Sequence, residues 1–219
     1  MGKTLFSTSQ IMAAAAAGPL IFDTFTAGSN ENLQDHTPDV GTSWTKEFVV
    51  GTDFSLQVLA SADALISPET STTGRGVGYV AAPAPSSADA EAKITFASVT
   101  SVSAEVSIHL FARYADENNF YYATVYPLLP YSEIGEFVAG VNTVLDFDEA
   151  VSFGAADVAR FVVEGTSLKL YKNDTLLLEA TDASISAAGN AGVGMGFLVY
   201  SGDDLDPDLQ LDDFTVTEL

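Results

Sequence analysis

Carboxylates are the most abundant ionisable groups in this sequence, and their spacing decides what chemistry they can perform. A retaining glycosidase needs two of them about 5–5.5 Å apart. On one strand that means acidic residues two positions apart on the same face, as in Glu-x-Asp-x-x-Glu. That pattern is absent. The nearest sets are Glu133 with Glu136, and Asp146 with Asp148 and Glu149. Glu133 and Glu136 fall on opposite faces of any strand they share, whereas Asp146 and Asp148 can share a face around Phe147. His36 lies in a turn-rich DHTPD segment and His109 on the polar side of a strand-like run, with no Gly-x-Ser-x-Gly motif to provide a nucleophile. No phosphate loop or dinucleotide fingerprint occurs, and GVGMG (192–196) reads as a Gly-rich strand suited to close packing. The absence of cysteine excludes thiolate nucleophiles, thiolate metal sites and disulfides. No catalytic residue is assigned, and the expectation is a protein that is not an enzyme.

Two binding chemistries have candidate residues. GDDLDPDLQLDD (202–213) carries six aspartates and ADENN (115–119) adds further oxygen ligands, which raises Ca2+. The EF-hand pattern fails, lacking Gly at its sixth position and Glu at its twelfth. A solvated acidic loop is the plainer reading, so no metal ligand is assigned. Carbohydrate would need an exposed ring beside amides and carboxylates. Trp44, and Tyr121 with Asp116, Asn118 and Asn119, supply those types, although rings on strands more often belong to a core.

The elements that must position these groups are strands. A chain of 219 residues that is 47% hydrophobic can fill one all-β domain with a sizeable core. From Phe22 onward, short alternating or apolar runs are punctuated by Gly, Asn, Asp and Pro, at 92–99, 103–114, 119–129, 136–147, 159–165, 166–182, 189–200 and 209–219. Asn173-Asp174 predicts a hairpin turn between two runs. Segments 67–78 and 82–91 read as long loops, and no repeat or interdomain linker interrupts the body. Thirty acidic residues against eight basic ones, a net charge of −22, argue against nucleic acid and anionic membranes as partners. No apolar run approaches the ~20 residues of a membrane span.

The exception to the strand pattern is STSQIMAAAAAGPL (7–20). Ser7 with Gln10 forms a capping box, and Phe6 with Ile11 a hydrophobic staple. Five alanines favour a helix, and Gly18-Pro19 stop it, giving a helix over roughly residues 8–17. A helix that short must dock to be ordered, with Leu5, Phe6, Ile11 and Met12 as anchors. The alternative is a secretion signal, whose apolar core would sit at the lower limit of length.

Several segments resemble laminin-G-like, concanavalin A-like modules. FDTFTAGSNENLQDHTPDVGTSWT (22–45) is similar to their opening, with His36, Thr37, Pro38, Asp39, Val40, Gly41 and Trp44 matching a HTPDVG-x-x-W segment. ARYADENNFYYATVY (112–126), 163–196 and the closing LDDFTV (211–216) resemble later strands of that family in the same order. The resemblance implies a jelly-roll sandwich of two antiparallel sheets over residues 22–219, after an N-terminal arm at 1–21. It does not imply one function. The sequence-based expectation is a virion surface protein, a phage capsid decoration or tail-surface subunit anchored by the arm and homo-oligomeric. The alternative is a secreted lectin-like binder of cell-surface glycans.

Overall fold

The computed structural model describes residues 18–50, 55–66, 75–100, 106–197 and 209–219. The predicted N-terminal helix with Leu5, Phe6, Ile11 and Met12, and the first part of the aspartate-rich loop, lie outside the described residues.

In chain order the strands are β1 (Ile21–Asp23), β2 (Glu31–Asn32), β3 (Ser43–Val50), β4 (Gln57–Leu59), β5 (Ala64–Ile66), β6 (Arg75–Ala82), β7 (Ala90–Val99) and β8 (Val106–Asp116). They continue as β9 (Asn119–Val125), β10 (Ser132–Val138), β11 (Val141–Asp148), β12 (Val158–Glu164), β13 (Ser167–Lys172), β14 (Thr175–Thr181), β15 (Asn190–Phe197) and β16 (Leu209–Glu218). The only helical element among the described residues is a 3₁₀ turn at Leu33–Asp35. Every pairing is antiparallel. One sheet runs β11-β10-β9-β8-β15-β6-β3; the other runs β14-β13-β12-β7-β16-β5-β4-β2, with β1 also on β16. This is the concanavalin A-like jelly roll that the resemblance implied, and β16 pairs with β1, Ile21 lying opposite Val216.

Alternation places the core. On β7, Ala90, Ala92, Ile94 and Phe96 point inward, and on β8 Val106, Ile108, Leu110 and Ala112 do so. Phe161, Phe214, Tyr121 and Tyr79 fill the space between the sheets with no exposed surface. Burying each such ring contributes about 1.5–3 kcal/mol.

Three local features differ from the sequence-based expectation. The run 136–147 is two strands, because Ala139 and Gly140 take φ of 51° and 77° and turn the chain there. The predicted loop 67–78 ends in β6, whose Gly76 and Gly78 pair with Gly196 and Gly194 of β15. A glycine-rich stretch that reads as a loop is therefore sheet, because its partner strand is equally bare. Finally, Arg113 interrupts β8 at φ 48°. Its buried guanidinium donates to the carbonyls of Ala88, Ile185 and Gly165 at 2.6–2.8 Å and to Asp89 at 3.2 Å. The register shift there leaves both Phe111 and Tyr114 in one cluster on the side of the sheet away from the core. Asn173 and Asp174, at φ of 49° and 64°, form the hairpin turn between β13 and β14.

Candidate functional site

The residues singled out from sequence separate into three places. Trp44 is 2% exposed, packs tilted against Phe214 with ring centroids 5.0 Å apart, and its indole N–H donates to Asp23 at 2.6 Å. Tyr121 is fully buried and its hydroxyl donates to Asp182 at 2.5 Å. Neither ring presents a face on which a sugar could stack, so the platform expected from them is not formed. Asp116, Asn118 and Asn119 do come together, in the β8–β9 turn, but on one another. Asp116 accepts from the Asn118 N–H at 2.8 Å and the Asn119 amide at 2.9 Å, and Asn119 accepts from the Ala139 N–H at 3.1 Å. Among the described residues no group of three or more His, Cys, Asp or Glu is arranged to hold a metal ion.

His36 anchors the corner around Trp44. One ring nitrogen faces Glu31 at 2.7 Å and the other Asp23 at 3.0 Å, so both nitrogens donate and the ring is an imidazolium. Burial alone would lower its pKa, but the hydrogen bonds to Asp23 and Glu31 outweigh that and raise it. Asp39 accepts from the N–H and hydroxyl of Thr24, and Val40 bridges Phe22. The HTPDVG segment is therefore a structural lock.

The outward face of the seven-stranded sheet is different. Strand register aligns Phe147, Glu133, Thr124, His109, Gly194 and Gly78 in one row across β11, β10, β9, β8, β15 and β6. On one side of this row stands an aromatic wall of Phe111, Phe120, Tyr122 and Phe137. Phe120 and Phe137 stack at 4.8 Å, and Tyr122 lies over Gly135, where any side chain would collide with the phenol. On the other side are Ser107, Tyr126 and Tyr131, the last two edge to face at 5.6 Å.

The row is polar at its centre and ends on the buried glycines Gly194 and Gly78. His109 contacts the Thr124 hydroxyl at 2.9 Å and that of Ser107 at 3.0 Å, while Ser107 donates to the Gly196 carbonyl at 3.2 Å. With the Ser107 proton so used, His109 donates through Nε2 and accepts at Nδ1. Surrounding protein pushes its pKa down to about 4, so the ring is neutral near pH 7. A histidine that donates to the serine, with a threonine in place of an orienting carboxylate, cannot activate that serine as a nucleophile. Glycine is required beneath these rings: a Cβ at Gly194 would stand 2.9 Å from Phe111 and 2.7 Å from the Val77 carbonyl.

At the opposite end Phe147 is 56% exposed and lies near-parallel to Tyr131, 22° and 6.3 Å between centroids. The Tyr131 hydroxyl donates to Glu133 at 2.7 Å. Burial, the hydrogen bond to Glu133 and the nearby Glu149 charge all raise the Tyr131 pKa, so the phenol stays protonated. Glu133 faces outward beside Thr124 while Glu136 faces inward beside Tyr121, as their spacing required. Sequence reasoning identified His109 as lying on the polar face of its strand, but missed Phe147, Tyr131 and Thr124. The available signal was the shared outward parity of successive strands, which becomes usable only when register is known.

No protein-family model matches the chain, and no curated protein sequence matches it. Solved structures do. A carbohydrate-binding module, CBM66 from Bacillus subtilis, superposes with a TM-score of 0.51 at 16% identity over 80% of this chain and 95% of that one. The exoplasmic/lumenal domain of VIP36, in its Ca2+/Man3GlcNAc-bound form, gives 0.54 at 11% identity over 80% and 83%. A glycosyl hydrolase family protein from Mycobacterium fortuitum gives 0.55 at 12% identity over 91% and 100%. These likenesses show the fold: two antiparallel sheets of the jelly-roll kind on which carbohydrate-binding modules and lectins occur.

Proposed function

We propose that this protein is a non-enzymatic, lectin-like carbohydrate-binding module acting outside the cell, with its binding face on the outward side of the seven-stranded sheet. The observation that carries this reading is the row from Phe147 through Glu133, Thr124 and His109 to Gly194. Its Phe147 end combines an exposed ring for the apolar face of a pyranose with the Glu133 carboxylate beside it as an acceptor for hydroxyls, while Thr124 and Gly194 are buried behind that end. The neutral His109 network and the absence of a nucleophile–base pair there favour binding over turnover. The test is a glycan screen followed by calorimetric titration of the full chain and of F147A. Specific binding that F147A weakens supports the reading; unchanged affinity in F147A would remove this face from consideration.

A second role, attachment to a virion surface or to further copies of the chain, rests on the helix-like sequence pattern of residues 7–17, which precedes the point where Leu20 bonds to Val216. Deleting residues 1–20 should abolish particle assembly on that reading and leave glycan binding intact.

A further inference from the structure

The Phe147 end of the row opens into a recess of about 500 Å³ bounded by Tyr131, Val144, Asp146, Phe147 and Glu149. Its charges are unequal in availability. Asp146 is committed to the Phe147 and Glu179 N–H groups at 3.0 and 3.2 Å, and neighbouring Asp148 to those of Ala150 and Val151 at 2.8 and 3.1 Å. Glu149 is exposed and makes no hydrogen bond or salt bridge among the described residues, and Glu133 has only tyrosine hydroxyls beside it. No Lys or Arg lines the recess. Arg113 pairs with Asp89, Arg160 with Glu91 and Asp174, Lys169 with Glu179 and Lys172 with Asp157, and none of these residues lines the recess.

Two rings set almost parallel, with the Glu133 and Glu149 carboxylates both acting on the Tyr131 phenol, make a site for a cation attached to an apolar surface. Anionic sugars are disfavoured by the same charges. Resting on the glycan reading above, we infer that the preferred ligand is a protonated amino sugar, its ring face on Phe147 and its ammonium drawn to the Glu133 and Glu149 carboxylates. A bare cation lacks the stacking surface, and an N-acetylated sugar lacks the charge.

The experiment is calorimetric titration of the full chain, in mildly acidic low-salt buffer, with three probes: a β-1,4-linked glucosamine hexamer, its N-acetylated counterpart and a galacturonate oligomer. The amine form should bind on the order of tenfold tighter than the acetylated one, with no binding of the uronate. Molar salt should compress that ratio, and E149Q should reduce it severalfold, whereas F147A should weaken both forms. Equal affinity for amine and acetylated forms would overturn this inference and leave the glycan reading standing. Competition by spermidine at the same concentration would also overturn it, by showing a site for cations alone. Binding of none of the probes, nor of any glycan in the wider screen, would overturn both.

Discussion

Two aromatic regions of this molecule are each built round a histidine, and they use it in opposite ways. In the Asp23 corner every polar atom of the set faces a partner: Asp23 receives the Phe25 N–H, the Trp44 indole and His36, which also reaches Glu31. The charge is fixed and the rings of Phe25, Trp44 and Phe214 seal it in. On the outward face of the seven-stranded sheet, His109 has only hydroxyl partners, carries no charge, and stacks on Phe111 at 6.2 Å within a row that ends on an exposed ring. The difference separates a region that spends its hydrogen bonds on the fold from one that keeps surface for a ligand.

The contrast can be broken by substitution, most severely in the corner. D23A should cost about 3–5 kcal/mol, because it strands a buried imidazolium together with two N–H donors. Urea unfolding checks this, and a loss below ~1 kcal/mol would show that the corner is not the lock described. G194V should cost about 1–3 kcal/mol by forcing Phe111 off its glycine, seen as a lower melting temperature together with weakened glycan binding. F147A should reverse that pattern, with affinity falling roughly tenfold to a hundredfold, as expected for a lost stacking ring, and stability moving by less than ~0.5 kcal/mol.

The finest distinction is the sign of pH dependence. His36 is raised above 6.5, so its stabilisation is complete below that value and is lost as pH rises through the folded-state value. His109 is lowered to about 4 from 6.5, so its neutral form stabilises above 6.5 and that contribution is lost as pH falls toward 4. H36Q should flatten the alkaline side of the stability profile and H109Q the acidic side. Denaturant midpoints across the pH range decide it; flattening on the wrong side by either variant would dissolve the comparison.

The fold was legible because its strands obey simple alternation. Val106, Ile108 and Leu110 share a face by sequence and line the core in fact. The Asn173-Asp174 turn was equally readable, because few residue pairs tolerate two positive φ values. What escaped was anything set by register between strands. The row Phe147–Glu133–Thr124–His109 spans four strands, and a bulge between Ile134 and Gly135 fixes its phase. Nothing in the chain order of those residues announces that they are neighbours. Trp44 and Tyr121 misled for a related reason: ring type signals affinity for sugar, but parity on the strand decides whether the ring faces water or Asp23 and Asp182.

The position of β16 also bears on how the chain is made. Leu209–Glu218 is the last strand in sequence yet sits inside the nine-stranded sheet, between β7 on one side and β5 and β1 on the other. Until those residues emerge from the ribosome, β14, β13, β12 and β7 have no route to β5, β4 and β2, and β1 has no partner strand. The β16 segment must therefore be made before the sheet can join. Before that the chain exposes two open edges, and the like charge of a chain carrying a net −22 opposes edge-to-edge pairing with other copies.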